Sequence, residues 1–278
     1  MTVGSVSVEE IAALVRQAGK AVMEVYACAF HVESKGDGSP VTEADRRAEE
    51  IILRGLDRIA PRVPVLSEEA ASSDDHLPTA GLDGNVDGSR LFWLVDPLDG
   101  TKEFVSRNGE FTINVALVQE GVPVLGVVLA PAVDRLFAAD SSSGAVMEDV
   151  DGRRPVSARA QPAEGATVVS SRSHGDADAL ARFTARRRIA AHLNAGSSLK
   201  FCLLAAGQAD LYPRFGRTME WDTAAGDAVL RAAGGRVTDL QGQDLRYGKP
   251  GFENPHFVAW GRESAGTPVV GPMLSGRE

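Results

Sequence analysis

The sequence predicts a mixed α+β and α/β chain in two subdomains, the first built on an antiparallel sheet. Three observations predict it. Two amphipathic helical patterns open the chain, a block of short branched and aromatic runs broken by turns follows, and beyond a Pro/Ala/Gly-rich stretch strand-like and helix-like runs alternate. With 278 residues, 44% of them hydrophobic, the chain can bury a large core and suits two parts that share an interface.

Ser7 and Glu10 have capping-box spacing, and Ile11, Leu14, Val15, Ala18, Val22 and Val25 follow at helical intervals. A second helix begins after Thr42, carries Ala44, Ala48, Ile51, Ile52, Leu56 and Ile59, and stops at Pro61. Short β-like runs come next: VPVL (63–66), RLFWLV (90–95), FTINVALV (111–118), VPVLGVVLA (122–130) and RLFAA (135–139). EGVP between two of them predicts a hairpin and hence antiparallel pairing. Periodicity is lost from Arg153 to Ala166, which places the subdomain boundary there. Beyond it TVVSS predicts a strand, the following stretch to about Arg188 a helix, SSLKFCLLAAG a helix, ADLYPRF a short strand, DTAAGDAVLRAAGG a helix stopped by glycine, and RVTDL a strand.

A formal net charge of −9 argues against a nucleic-acid polymer as partner, because no basic run stands ready to neutralise a phosphate backbone. Arg182, Arg186, Arg187 and Arg188 read as one solvated helix face. An acidic chain that handles a phosphorylated substrate needs cations to offset repulsion. Cys28 and Cys202 stand far apart in apolar surroundings, so both are expected to be small core residues in a reducing compartment, and no zinc spacing occurs. Without a leader pattern or an apolar run of membrane length, the expected location is the cytoplasm, with no transmembrane segment.

Two motif matches fail on chemistry. DGNVDG (83–88) begins like an EF-hand loop, but Leu94 stands where a bidentate glutamate is required. Ser197 and Lys200 have S-x-x-K spacing, yet no S-D-N or K-T-G follows. Of the five histidines only His174 has suggestive neighbours, since it closes the polar run SSRSH directly after an apolar strand, where open α/β sheets bind ligands.

FWLVDPLDGTKEF (92–104) is more informative. Pro97 is expected to end the ladder of a buried strand, leaving Asp96, Asp99 and the freed Leu98 carbonyl to face one space. Gly100 lets backbone approach a ligand, and a helical turn from Thr101 aims the Gly100 and Thr101 amides at an anion. Hard oxygen donors beside an anion cradle describe a Mg²⁺-phosphate site; an Asx-turn followed by a helix cap accounts for the same residues. Further acids end or begin other elements: Glu68 and Glu69 after VPVL, Asp222 after Trp221, and Asp45 in capping-box spacing after Thr42. A divalent metal gives such distant acids a reason to meet.

VTEAD, SEE, DPLDGT and WDTAAGD occur in the order and approximate spacing of the Mg²⁺-dependent, lithium-sensitive inositol monophosphatase superfamily, and the resemblance runs from about Ser34 to Trp260. KEF, the SRSH run and GSSLKFCLLAAGQADLYPRF resemble its CysQ-type 3′(2′),5′-bisphosphate nucleotidase branch. The resemblance implies a layered α-β-α-β-α sugar-phosphatase fold, with most metal ligands in residues 1–155 and the nucleotide-binding residues and Asp222 in 156–278. It implies Mg²⁺, two or three ions: Glu68, Asp96 and the Leu98 carbonyl on one, and Asp96, Asp99 and Asp222 on a second. Gly100 and Thr101 then cradle the scissile phosphate, Asp45 and the Thr101 hydroxyl orient the attacking water with Glu68 beside them, and Asp222 also reaches the substrate. His174, Ser197, Lys200 and Arg214 surround the nucleotide and its remaining phosphate.

The implied activity is hydrolysis of the 3′-phosphate of adenosine 3′,5′-bisphosphate to AMP, with its phosphosulfate relative also fitting. Two rivals stand beside it: an inositol or sugar monophosphatase, against which Lys200 and Arg214 count because a monophosphate offers them no second phosphate, and a non-catalytic nucleotide sensor, whose sign would be a missing metal ligand. The sequence departs from the family in Asp227, read as an exposed helix position, and in a variable loop at 81–90. It does not give the oligomeric state.

Overall fold

The two opening helices form as their caps dictate. Ser7 accepts from the Glu9 amide while Glu10 reaches back, starting α1 (Val8–Tyr26). After a two-stranded ribbon, β1 (Val32–Ser34) and β2 (Pro40–Thr42), Thr42 and Asp45 repeat the device for α2 (Glu43–Ile59). The helices cross closely because Gly55 carries no side chain, and a Cβ there would stand 2.2 Å from Leu14 Cδ1. The computed structural model describes residues 6–34, 40–73, 85–86, 89–171 and 176–262.

The first sheet gathers the predicted β-like runs. In chain order come β3 (Val65–Ser67), the short helix α3 (Glu68–Ser73), β4 (Asn85–Val86), β5 (Ser89–Asp99), the helical turn α4 (Thr101–Val105), β6 (Thr112–Gln119), β7 (Val122–Ala130), β8 (Arg135–Asp140), β9 (Gly144–Asp149) and β10 (Gly152–Val156). Its order is β10-β9-β8-β7-β6-β5-β3, with β4 paired to β5. Pairing is antiparallel throughout except that β3 runs parallel to β5. The EGVP hairpin forms as expected, with Glu120 (φ 50°) and Gly121 (φ 75°) both left-handed, as a twist-matching two-residue turn requires.

The second sheet is mixed. It contains β11 (Ala166–Ser171), β12 (Ile189–Ala195), β13 (Leu211–Arg214), β14 (Arg236–Asp239) and β15 (Phe257–Trp260) in the order β12-β11-β13-β15-β14. Helices α5 (Ala177–Thr184), α6 (Leu199–Ala205) and α7 (Ala224–Ala232) accompany it. β12, β11 and β13 are parallel, whereas β15 pairs antiparallel with both of its neighbours.

Three apolar clusters set the layers. Trp93, Val95, Ile113, Val115 and Leu117 pack against α1 and α2. The opposite face of the same strands, Phe92, Leu94, Ala116 and Val118, packs through Phe201, Cys202 and Val229 of α6 and α7 onto Tyr212 and Phe257 of the second sheet. The far side of that sheet, Val168, Leu211 and Val258, is covered by Phe183 of α5. The result is an α-β-α-β-α stack, and its central helical layer belongs to a core shared by both sheets.

Several expectations are corrected. Helix α5 ends at Thr184, and the chain then forms β12, an edge strand with five of seven residues exposed, which therefore lacks an apolar alternation. The stretch from Arg153 begins inside β10, another exposed edge strand. Cys28 is exposed, whereas Cys202 is buried. Asp227 is fully buried. The DGNVDG segment and the 81–90 loop lie largely outside the described residues, as does His174 entirely.

Candidate active site

The acids of DPLD share a face because the strand slips there. On a regular strand, residues three apart point to opposite faces. In β5, Asp96 stands opposite Asn114 and Asp99 opposite Thr112, so three steps on one strand match two on its partner. This is a β-bulge, and it turns Asp99 onto the face of Asp96. Leu98 records the same slip: it packs with α1 and α2, the side of Trp93 and Val95, although Leu94 and Asp96 precede it on the other face. Pro97 thus interrupts the ladder, which resumes at Asp99, instead of ending it as expected.

Strand register brings Glu68 alongside. Ser67 of β3 pairs in parallel with Val95, so the next residue, Glu68, is the neighbour of Asp96. Asp222 arrives from the 3₁₀ turn Glu220–Asp222 before α7, where its Oδ2 accepts from the Met219 amide at 2.8 Å. Asp45 serves two purposes. Its Oδ2 caps α2 by accepting from the Thr42 amide and hydroxyl, both at 2.7 Å, while Oδ1 faces the Thr101 hydroxyl at 3.5 Å. That hydroxyl also lies 3.3 Å from the Leu98 carbonyl. Gly100 begins α4 with φ 90°, and its carbonyl accepts from the Phe104 amide at 2.9 Å.

Burial and mutual repulsion dominate the electrostatics. Burial, then the charges of Glu68, Asp99 and Asp222, pushes the Asp96 carboxyl well above the usual carboxylate range. Burial, then Asp99 and Glu68, does the same at Asp222. Asp99 is raised by burial, with the Lys200 ammonium opposing. Among the described residues no ion pair reaches Asp96, Asp99 or Asp222, and no three acids, histidines or cysteines already stand as a closed metal-ligand cluster. The donor set nevertheless fits a hard divalent cation: it offers only oxygen, and among the described residues no cation is bonded to Asp96, Asp99 or Asp222.

These groups open on a cleft of about 280 Å³, lined on the acid side by Glu68, Asp99, Thr101 and Asp222. Ser197, Lys200 and Arg214 line the same cleft. Ser197 holds a left-handed φ of 46°, and its carbonyl and that of Ala195 accept from Lys200 Nζ. Burial depresses the Lys200 ammonium to about 8, helped by Arg214 and opposed by Asp99. Arg214 Nη2 donates to the Arg217 carbonyl at 3.0 Å. The structure therefore brings Glu68, Asp99, Gly100, Thr101, Ser197, Lys200, Arg214 and Asp222 to one cleft, with Asp96 buried behind its acid wall and Asp45 behind Thr101. Sequence reasoning missed Ser171, Tyr212 and Arg217 in the lining. It also missed Asn114 and Ser198, which touch the acids. For Asn114 there was a signal: an amide in the middle of the apolar run FTINVALV.

Comparison with known proteins agrees with this geometry. The family model described as "Inositol monophosphatase family" matches residues 6–267. The chain is 46% identical over 252 residues to the 3′(2′),5′-bisphosphate nucleotidase CysQ of Escherichia coli O157:H7, covering 90% of this chain and 97% of that one. The enzyme of the same name from Salmonella typhimurium is 46% identical over 255 residues, with 90% and 97% covered. Among solved structures, CysQ from Bacteroides thetaiotaomicron, described as a bacterial member of the inositol monophosphatase family, superposes with a TM-score of 0.76 at 34% identity, covering 92% of this chain and 97% of that one. Layer order, an oxygen-only acid cluster at strand ends and these matches coincide: the chain belongs to the inositol monophosphatase family.

Proposed function

We propose that this chain is a Mg²⁺-dependent 3′(2′),5′-bisphosphate nucleotidase that hydrolyses the 3′-phosphate of adenosine 3′,5′-bisphosphate to AMP and phosphate, and acts on the corresponding phosphosulfate. The observation that carries this reading is one cleft lined both by the carboxylates Glu68, Asp99 and Asp222 and by the cations Lys200 and Arg214. A monophosphate needs only the acid set; a bisphosphate uses both sets. The nucleotidases at 46% identity support the same substrate class. Enzymes of the family are generally Mg²⁺-dependent.

In this reading Glu68, Asp96 and the Leu98 carbonyl would hold one ion, and Asp96, Asp99 and Asp222 would hold a second. When bound, the ions supply Lewis-acid activation of water and charge neutralisation at the phosphate. The chain's own groups do the rest. Asp45 Oδ1 and the Thr101 hydroxyl, 3.5 Å apart, fix a water in line with the ester and accept its proton as the P–O bond forms. The Gly100 and Thr101 amides hold the phosphate oxygens as the bond to the ribose oxygen breaks, and that oxygen takes a proton from solvent. Lys200 and Arg214 pair with the remaining phosphate, and Ser197 and His174 border the nucleoside.

Initial rates of phosphate release from adenosine 3′,5′-bisphosphate and from inositol 1-phosphate, each with and without Mg²⁺ and with added lithium, test the reading. The expected result is Mg²⁺-dependent, lithium-inhibited release that favours the bisphosphate by at least about tenfold, one phosphate contact's worth of binding. Equal or faster release from inositol 1-phosphate overturns the substrate assignment. Tight nucleotide binding with no release in Mg²⁺ overturns the enzyme.

A further inference from the structure

A hydrogen-bonded link joins the acid that comes from the first sheet to the acid that precedes α7. Asn114, in the middle of β6, is 1% exposed. Its Nδ2 donates to Asp99 Oδ2 at 3.3 Å and to Ser198 Oγ at 3.0 Å. Ser198, also 1% exposed, passes its own hydroxyl hydrogen to the Asp222 carbonyl at 2.7 Å. The donors are accounted for in one direction only: the amide has two hydrogens and meets two acceptors, and the serine accepts one bond and donates one. Flipping the amide would turn its oxygen on the Asp99 carboxylate. The orientation has a cost, because Asn114 Oδ1 is buried without a hydrogen-bond partner. A merely structural amide in a strand flanked by Val115 and Ile113 gains nothing from such an arrangement, whereas a residue that must aim donors at an acid does.

We propose that Asn114 and Ser198 are positioning residues for the second metal position, fixing the Asp99 carboxylate at a set distance from the Asp222 backbone so that the two acids, one ending a strand and one preceding α7, are presented together. The inference rests on the metal assignment above and concerns residues to which that assignment gives no role. It distinguishes the two positions: the link touches Asp99 and Asp222, and leaves Glu68, Asp96 and the Leu98 carbonyl alone. Partners that orient metal-ligating carboxylates typically change affinity ten- to a hundredfold when removed.

The test is Mn²⁺ binding to metal-free protein, followed by electron paramagnetic resonance of free Mn²⁺, for the wild type, Ser198→Ala, Asn114→Ala and the double variant, with thermal unfolding confirming that each folds. Each single variant is expected to weaken the weaker Mn²⁺ site about tenfold and the tighter one less than about twofold, and the double variant to lose little more than either single, since both break one link. The Mg²⁺ concentration for half-maximal phosphate release shifts in parallel. Unchanged Mn²⁺ binding in both singles, losses that add, or equal weakening of both sites overturns the inference while leaving the nucleotidase reading intact. A wild type that binds no Mn²⁺ overturns both.

Discussion

WDTAAGD carries two aspartates five residues apart, Asp222 half-buried at the cleft and Asp227 fully buried, and they are treated in opposite ways. Asp227 is sealed in and supplied with partners: Arg231 Nε at 2.7 Å and the Tyr247 hydroxyl at 2.9 Å. Nearby Glu220, fully buried, likewise has Lys249 Nζ at 2.6 Å and the Gly248 and Lys249 amides. Asp222 accepts from the Met219 amide, and with Asp96 and Asp99 it forms a group of acids to which no cation is bonded among the described residues. A buried charge is expensive unless paired. Where the chain supplies the partner the acid holds structure; where it withholds one within reach of a cleft, the acid is kept for a cation from outside.

The sharpest way to break this contrast is to neutralise each acid in turn. Asp222→Asn is expected to lower kcat/KM by a thousandfold or more, about 4 kcal/mol of transition-state stabilisation, with the metal-free fold no less stable. Asp227→Asn is expected to do the reverse: near-normal turnover at 25 °C, and a loss of about 3 kcal/mol in unfolding free energy, because the Arg231 charge loses its buried partner at 2.7 Å and is left with the exposed Asp244 at 3.9 Å. Adding Arg231→Met to Asp227→Asn should return part of that loss. Steady-state kinetics with urea unfolding of the same preparations decides, and a large catalytic effect at Asp227 with unchanged stability would remove the distinction.

The next largest effect is on how stability depends on pH. Asp96, Asp99 and Asp222 all have folded-state pKa values raised above the unfolded value near 3.8. A raised pKa means the protonated form is favoured in the fold, so their contribution is fully present below about pH 4 and is lost as pH rises through the folded values. Metal-free protein should therefore lose stability as pH rises above about 4, and Mg²⁺ should restore more at the alkaline end than at the acid end. Asp140 limits the acid side in the other sense. Burial raises it, but four hydrogen bonds from Ser142 and Ser143 outweigh that and hold it at about 2, so its contribution is lost only as pH falls from about 4 toward that value. Differential scanning calorimetry across this range, with Asp96→Asn as the flatter comparison, measures it.

What the sequence made legible follows the same division. The helices α1 and α2 could be read because cap, period and stop lie within a few residues of one another. The acids could be read as residues at element ends, but not the reason they meet: that depends on the β5–β6 register, where Asp96 faces Asn114 and Asp99 faces Thr112. A proline that looks like a terminator proved to be part of the bulge. Strand β12 was hidden because IAAHLNA is largely exposed and pairs along one edge, so no burial pattern is impressed on it. Asp227 was misread because only one partner, Arg231, is local; Tyr247, which closes the network, is 20 residues away. Asn114 and Ser198 were missed for the same reason, being 84 residues apart.

The smallest effect tests the cations of the cleft. Lys200 is buried, and it meets the carbonyls of Ala195 and Ser197 and lies 5.2 Å from the centre of the Tyr212 ring. Among the described residues it is a cation without a bonded anion, the mirror of Asp222. With its ammonium depressed to about 8, Lys200 is charged at neutral pH and discharges as pH rises above that value. The kcat/KM for the bisphosphate, which reports the free enzyme, should accordingly fall above about pH 8. For a substrate lacking the second phosphate this limb should be absent. Lys200→Met should lower kcat/KM for the bisphosphate about ten- to a hundredfold, the range for one charge-assisted contact, and abolish the alkaline limb while barely altering the monophosphate. An equal loss on both substrates would move Lys200 from the second phosphate to the acids, through its attraction to Asp99, and the bisphosphate would lose its second anchor.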